Sequence, residues 1–477
     1  MKARTLVFLT AALAWSGCST SAPPRAEAAV APTPLPERFA AAPTTTNGEL
    51  REDWWREFGD PSLDRAVAAA LATNHGLVAA AERMAAAVAA SGVTRGPLQP
   101  TVDAGFDAGR ARRVFLGFPF GGGGVPSSTT TTYGVSLNVQ WELDIWGRIA
   151  AAAQGAAADA EGAAALLDAA RLSLVGQVCK AHFAVCEAEL QLRLADETVA
   201  TLRSTAADVR DRYRRGLRPA IDLHQAEANA AEAEAAAAAR TDALQRARRQ
   251  LDLLCGRYPH GEGDGDRVLG LPATLPEVPS MLPSELLLRR PDLAAAERTL
   301  AAVGCRVEAA KAALYPRISL TASGGTSSTE LKDLVDDDFR VFSIGANLLQ
   351  PLFRGGADRA EIARQEALQR QALADYRQAV LQAFTEVESA LGANDSLDRR
   401  RLELAKAARS AATARDLARE RWQQGIAEFL AVADGQRQAF GAESARLSSE
   451  RQRLDNRIDL LLALGGGYRA AATGEKP

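Results

Sequence analysis

The stretch YGVSLNVQWELDIWGR, residues 133–148, contains the change of pattern that decides the fold. Apolar and polar side chains alternate one by one from Tyr133 to Leu143. Successive side chains of a strand point to opposite faces, so this alternation predicts a β-strand with one apolar and one polar face. After Gly147 the sequence becomes rich in alanine and contains no proline until Pro219. Because proline breaks helices, the strand is predicted to lead directly into a long helix.

The same change from strand to helix occurs twice. Glycines at a constant offset of 209 residues indicate an internal duplication: Gly147 and Gly356, Gly216 and Gly425, Gly256 and Gly465. Upstream, Leu98-Gln-Pro100 matches Leu314-Tyr-Pro316 at an offset of 216, so the first copy has a longer loop before Gly147. Each copy of roughly 200 residues is expected to contribute one β-hairpin and a helix of about 68 residues, roughly 100 Å long at 1.5 Å per residue.

The alternating strands fit two environments. A soluble sheet with one solvated face has this pattern, and so does a transmembrane β-barrel with strands of about ten residues. No uninterrupted apolar run after residue 20 reaches the roughly 18 residues of a membrane-spanning helix. Four strands cannot close a barrel, because the smallest have about eight, and open sheet edges are not tolerated in lipid. If the strands cross a membrane, several chains must share one barrel.

The N-terminus has the features of an export signal. Lys2 and Arg4 precede an apolar run that ends at Trp15, and the small residues Ser16 and Gly17 stand directly before Cys18. This arrangement resembles the bacterial lipobox, which predicts removal of residues 1–17 and lipidation of Cys18. Trp15 replaces the usual leucine, so ordinary signal cleavage stays open as an alternative. The Pro-, Ala- and Thr-rich residues that follow predict a flexible tether.

Composition and motifs exclude several classes of protein. The net charge of −3, from 56 basic and 59 acidic residues, lacks the basic surplus of a nucleic-acid binder. No nucleophile elbow, phosphate loop or dinucleotide fingerprint is present, and the four histidines lack metal-ligand spacing. We therefore predict no enzyme, no metal and no cofactor. A disulfide between Cys255 and Cys305 is left open.

Two short segments mark turns between the long helices. Arg212-Tyr213-x-x-Gly216-Leu217 and Arg421-Trp422-x-x-Gly425-Ile426 lie midway between predicted helices, where glycine can reverse the chain.

Several ordered motifs carry a family resemblance. They are Trp54-Trp55-Arg-Glu-Phe58-Gly-Asp60-Pro61, Trp141-Glu-Leu-Asp-Ile-Trp-Gly147-Arg148, Leu288-Arg-Arg290-Pro-Asp292, Leu314-Tyr-Pro316 and Leu464-Gly-Gly-Gly467. With the duplication and the lipobox-like signal, the chain closely resembles the TolC-like outer-membrane efflux factors, in their lipoprotein (NodT/OprM-like) branch serving RND-type tripartite pumps.

The resemblance implies a mainly α fold with a pair of β-hairpins. Three protomers would share an outer-membrane β-barrel continuous with a long periplasmic α-helical barrel. Such a homotrimer would be a passive exit duct for small molecules, with a periplasmic adaptor, an inner-membrane RND-type pump and outer-membrane lipid as partners. The alternative is a periplasmic coiled-coil lipoprotein with a structural or adhesive role and no channel.

The resemblance also assigns roles to residues of the turns. Gate positions fall on Leu430, Asp434, Asp222 and Trp422, with the Trp422 indole facing Asp222 as a donor. The tips that dock the adaptor fall on Gly216, Leu217, Gly425 and Ile426. Ala427 stands where some members have arginine, so the gate network is only partly preserved.

The predicted organisation has six parts. They are a signal peptide at 1–17, a lipid-anchored tether and entry segment at 18–60, a first efflux repeat at 61–258, a linker at 259–279, a second repeat at 280–468 and a tail at 469–477.

Overall fold

The computed structural model describes residues 39, 50–115, 126–262, 270–272, 275–276 and 283–468. The predicted lipidation site Cys18, the signal peptide and the C-terminal tail lie outside these residues. Eight α-helices and four β-strands make up the described part of the chain: α1 Pro61–Thr73, α2 His75–Arg95, β1 Thr101–Val114, β2 Ser127–Leu143, α3 Arg148–Arg214, α4 Ala220–Leu254, α5 Pro283–Arg289, α6 Pro291–Ala312, β3 Arg317–Ser328, β4 Arg340–Leu349, α7 Ala357–Gln423 and α8 Phe429–Ala463.

The order of elements repeats, as the sequence predicted. Two helices, a β-hairpin, a very long helix and a shorter helix follow one another twice. The long helices α3 and α7 have 67 residues each, and α4 and α8 have 35 each. A mainly α fold with one hairpin per copy is therefore confirmed.

The described residues form two compact units. One comprises 92–115, 126–158 and 301–366, and contains the sheet. The other comprises the remaining described residues and contains most of the helical length.

The four strands form one antiparallel sheet in the order β1-β2-β3-β4. One face is apolar and exposed, with Val102, Phe106, Val135, Leu137, Leu320, Phe342, Ile344 and Leu348. The strands come close at Gly325, where an added Cβ would lie 1.9 Å from the carbonyl oxygen of Val135. Among the described residues, the outer edges of β1 and β4 have no strand partner.

The Trp-Glu-Leu-Asp-Ile-Trp-Gly-Arg motif builds the junction between β2 and α3. The Asp144 carboxylate accepts hydrogen bonds from the backbone N–H groups of Ile149 (3.0 Å) and Ala150 (2.6 Å), which caps the first turn of the helix. Gly147 turns the chain with a positive φ of 73°. The Trp146 indole donates to the Pro316 carbonyl oxygen at 2.8 Å.

Two alanine-rich helices bear on the observation that no uninterrupted apolar run in the sequence is long enough to span a membrane. On length and composition alone, His75–Leu98 and Arg148–Arg214 are apolar enough to cross a membrane. Alanine counts as apolar, so a helix with widely spaced charges passes this test although its apolar run is interrupted. Cores of soluble proteins contain such helices too, so the finding carries little weight.

The helical unit has a core built around the entry motif. Trp54 and Leu63 are fully buried, and the rings of Phe58 and Phe183 meet edge to face at 5.2 Å. Arg290 of the Leu-Arg-Arg-Pro-Asp motif is buried against this core. Its guanidinium pairs with Asp292 at 2.7 Å and Glu386 at 2.6 Å. The motifs of the resemblance are thus core residues and helix junctions.

The four described cysteines form no disulfide with one another. The disulfide left open between Cys255 and Cys305 is therefore not formed. Burial raises the pKa of the Cys179 thiol, which keeps it protonated.

A buried ion pair fastens the entry segment to α3. The His182 imidazole lies 2.7 Å from the Asp60 carboxylate, which also accepts from the Ser62 and Leu63 backbone N–H groups as the N-cap of α1. Burial alone would lower the pKa of His182, but the hydrogen bonds with Asp60 and Cys186 outweigh it and raise that pKa to about 9. Burial alone would raise the pKa of Asp60, but hydrogen bonds from His182 and Ser62 hold it well below its usual range.

We predict that Asp60→Asn destabilises the protein by about 3 kcal/mol, because it leaves a buried imidazolium without its counter-ion. The measurement is thermal unfolding in detergent, followed by circular dichroism. Asp53→Asn is the matched control, since Asp53 lies in the same segment, paired with Arg51 at the surface. An equal fall in both variants would contradict the role of the buried pair.

The difference in stability between wild type and Asp60→Asn is expected to depend on pH. The His182 contribution is complete below its ordinary pKa of 6.5 and is lost as the pH rises through about 9. The Asp60 contribution is present above its ordinary pKa of 3.8 and is lost on acidification below it. The stability difference between wild type and Asp60→Asn is therefore greatest between these two ordinary pKa values. A difference that widens towards pH 9 would contradict the ion pair.

Candidate functional site

The candidate site lies at the two turns that join the helices of each helical hairpin. In the α3–α4 turn, the Gly216 N–H donates to the Tyr213 carbonyl and the Leu217 N–H to the Arg212 carbonyl, both at 2.9 Å. The α7–α8 turn has the same bonds, from Gly425 to Trp422 at 3.0 Å and from Ile426 to Arg421 at 2.9 Å.

This pair of hydrogen bonds forms at the end of a helix only when one residue of the turn has a left-handed backbone conformation. Gly216 and Gly425 supply it, with φ of 72° and 80°. The residues that follow, Leu217 and Ile426, are 67% and 69% exposed. The chain therefore presents one apolar side chain to solvent at each turn.

Behind the turns, a small apolar cluster packs the two helical hairpins together. We call it the tip cluster: Ala206, Val209, Leu223, Ala226, Ala230, Trp422, Phe429, Val432 and Ala433. Trp422 is the largest member and is almost fully buried, with its ring edge to face against Phe429 at 6.1 Å. The tip cluster is separate from the main core of the helical unit.

Trp422 has cationic neighbours rather than a carboxylate partner. The Arg212 guanidinium carbon lies 4.2 Å from the centre of the indole ring, and that of Arg218 lies 5.9 Å from it. Such cation–π contacts contribute about 0.5–2 kcal/mol. The Trp422 indole N–H is buried and has no hydrogen-bond partner among the described residues.

The expected hydrogen bond from the Trp422 indole to Asp222 is therefore not formed within this protomer. Asp222 lies half-buried in the first turn of α4, and its backbone N–H donates to the Pro219 carbonyl. A carboxylate in this place is stabilised by the positive end of the helix dipole.

The other two residues predicted to form a gate, Leu430 and Asp434, share the exposed face of α8. Leu430 is 55% exposed, and Asp434, one turn further along, is exposed and paired with Arg437 at 3.0 Å. The opposite face of α8, with Phe429, Val432 and Ala433, is buried in the tip cluster. The fold thus anchors one face of α8 and leaves Leu430 and Asp434 free to meet something outside the protomer.

A polar contact beside the tip cluster was not foreseen from the sequence. The Gln436 side-chain amide donates to the Thr205 hydroxyl at 3.1 Å, and both side chains are buried. Thr205 in turn donates to the Thr201 carbonyl at 2.9 Å. Neither residue belongs to a motif, and they lie 231 positions apart, so no local signal points to the pair.

Among the residues that the structure describes, no three His, Cys, Asp or Glu side chains are placed to hold a metal ion.

A protein-family model matches both copies of the duplication. The model of the outer membrane efflux protein family matches residues 66–257 and 282–466. The chain belongs to the outer membrane efflux protein family. The TolC-like resemblance is confirmed, and the protein is an outer-membrane efflux channel and not an enzyme.

Named relatives match along almost the full chain. The pyoverdine export outer membrane protein OpmQ of Pseudomonas putida is 29% identical over 98% of both chains. Outer membrane protein OprJ of Pseudomonas aeruginosa is 32% identical over 91% of both chains. Among solved structures, the open state of the MtrE outer membrane channel of Neisseria gonorrhoeae matches with a TM-score of 0.77 and 30% identity, over 91% of this chain and 98% of MtrE.

We predict that Trp422→Ala in this efflux protein loosens the tips by about 3 kcal/mol, the usual order for deleting a buried tryptophan. Hydrogen–deuterium exchange should then rise at residues 202–233 and 418–440, while the main core stays protected. Trp422→Phe is the control, because it keeps an aromatic ring in the tip cluster and removes less buried apolar volume than alanine, together with the unpartnered indole N–H. Equal exchange in both variants, or a rise throughout the chain, would contradict a separate tip cluster.

Proposed function

We propose that three copies of this protein form one outer-membrane duct, which passively conducts small molecules delivered by an inner-membrane pump and a periplasmic adaptor. The single observation that carries the proposal is the sheet. Its four strands have an exposed apolar face and two edges without a partner among the described residues. Lipid does not tolerate open edges, and four strands cannot close on themselves, so the edges must pair between chains.

The proposed gate consists of Leu430 and Asp434, with Trp422 and Asp222 holding the coils. Three copies would give a ring of leucines beside a ring of carboxylates. A hydrophobic constriction excludes water, and a charged ring selects by sign. Asp434 is exposed and its ion pair with Arg437 lies within α8, so the carboxylate remains accessible for contacts outside the chain, which supports its place in the proposed gate.

The proposed adaptor-docking tips are Gly216, Leu217, Gly425 and Ile426. Two exposed apolar side chains on rigid, glycine-based turns suit a partner that covers them. An inner-membrane RND-type pump would then feed the duct through the adaptor. Substrates are proposed as small toxic compounds, because relatives of this chain include outer membrane proteins named for solvent efflux and for toluene efflux.

The proposed organisation keeps the predicted boundaries, with repeats at 61–258 and 280–468. The match of the family model in two blocks, 66–257 and 282–466, supports it. Lipidation of Cys18 is proposed from the sequence, and it would anchor residues 18–60 in the outer membrane.

The testing experiment is single-channel conductance of the detergent-purified protein in a planar bilayer. We expect a small conductance for wild type and a conductance at least several times larger for Leu430→Ala/Asp434→Ala, because both rings are removed. Leu402→Ala/Glu403→Ala is the matched control. It removes the same two kinds of exposed side chain from α7, roughly 30 Å along the helix from Trp422.

Three results are decisive. Equal conductance of wild type and the gate variant contradicts the proposed gate but not the proposed duct. A gain in the control as large as in the gate variant contradicts the placement of the gate. Failure of every variant to insert contradicts the duct and favours the periplasmic coiled-coil lipoprotein.

A further inference from the structure

The apolar face of the sheet becomes positively charged near the end of β1. Every second residue from Val102 to Ala108 is apolar, and the next two positions on the same face are Arg110 and Arg112. Both arginines are exposed. The apolar face therefore ends in two cations beside the β1–β2 loop.

The strand register gives the depth of these arginines. Two aromatic residues lie on the apolar face of β2, Tyr133 and Trp141, eight positions apart. That spacing is roughly 27 Å along a strand, or about 20 Å across a bilayer at the usual tilt of transmembrane strands. Aromatic girdles flank the apolar band of such sheets at a similar separation, about 25 Å. Tyr133 and Trp141 therefore mark the two borders of the band.

The arginines lie just beyond the border at Tyr133. Tyr133 pairs with Ala108, Thr131 with Arg110 and Thr129 with Arg112. Trp141 marks the opposite border, on the side where β2 leads into α3, and its indole donates to the Leu98 carbonyl at 3.1 Å. Arg110 and Arg112 are therefore at the depth of lipid headgroups, at the β1–β2 loop end of the strands.

Within the sheet, these arginines lie beside hydroxyl groups of β2. The Arg112 guanidinium donates to the Ser127 hydroxyl at 3.0 Å. Within the described residues, neither arginine has an ion pair with a carboxylate. The acidic residues of β1, Asp103 and Asp107, belong to the other face. The paired positions on β2 are threonines, whose hydroxyls can donate hydrogen bonds.

We propose that Arg110 and Arg112, with the Thr129 and Thr131 hydroxyls, bind a phosphate of the phosphorylated glycolipid in the outer leaflet. The inference rests on the proposed shared barrel, which decides that the apolar face meets lipid. Guanidinium groups match phosphate oxygens in paired hydrogen bonds, and a headgroup phosphate lies at their depth. A shared barrel of three chains would have three such sites, each fixing lipid against β1.

The chain offers a matched control one residue away. Arg113 has the same charge on the same strand, but its side chain belongs to the polar face. Removing it changes the net charge equally without touching the proposed site. Lysine at positions 110 and 112 keeps the charge and loses the planar, two-bond geometry.

The experiment titrates the delipidated full-length protein in detergent with bisphosphorylated lipid A, followed by native mass spectrometry. We expect Arg110→Ala/Arg112→Ala to weaken binding about 25-fold, since each cation near an anionic lipid surface contributes about fivefold. Arg113→Ala should stay within about twofold of wild type, and Arg110→Lys/Arg112→Lys should lose less than the alanine pair. Lipid A without phosphates should bind wild type as weakly as lipid A binds the alanine pair.

Several results would overturn the proposal. Unchanged binding by the alanine pair, or an equal loss with Arg113→Ala, contradicts the site. Equal binding of dephosphorylated lipid A contradicts the phosphate. Equal binding of phosphatidylglycerol, or full competition by inorganic phosphate, contradicts the outer-leaflet glycolipid as the source. Bilayer conductance of the same preparations separates the lipid-binding proposal from the proposed duct. A protein that conducts but does not select the glycolipid contradicts the lipid site and leaves the proposed duct intact.

Discussion

The unpaired backbone of the two outer strands is the constraint on which the rest depends. β1 and β4 carry N–H and C=O groups along their free edges, and in the described residues no other strand satisfies them. In water such groups bind solvent, but in hydrocarbon each unsatisfied group costs several kcal/mol. A sheet with an exposed apolar face and open edges is thus incomplete in a membrane, because its edge N–H and C=O groups lack partners. In the proposed duct, copies of the chain complete it in the outer membrane.

The helical tips are incomplete in a similar way. Tyr213 and Trp422 occupy equivalent positions in the two copies of the duplication, yet Tyr213 is 42% exposed while Trp422 is buried. Ile221 and Leu430 are also equivalent, and both are exposed. Within one chain the tip cluster therefore joins the two hairpins along one side only. In the proposed duct, the exposed apolar residues on the other side would contact a neighbouring protomer or the adaptor, or would form the gate.

Local patterns predicted most of the fold and little of the connections between distant residues. Alternation gave the strands, the absence of proline gave the long helices, and repeated glycines gave the turns, because each is a property of neighbouring residues. The Asp60 partner of the buried His182 is 122 positions away, so no local pattern points to this pair. The Arg437 partner of Asp434 and the Gln436–Thr205 contact were missed, and the predicted Trp422–Asp222 bond is absent from the protomer. The His182–Asp60 and Gln436–Thr205 contacts depend on how helices pack, which no single segment encodes, whereas Arg437 lies only three positions from Asp434 on α8.

The central claim is that the chain completes its sheet with copies of itself. Its most direct test is native mass spectrometry of the protein extracted in detergent, without cross-linking. The account predicts an assembly of three chains that persists on dilution and falls apart only when the detergent-bound strands unfold. A stable monomer that stays soluble without detergent once its N-terminal anchor is removed would contradict it.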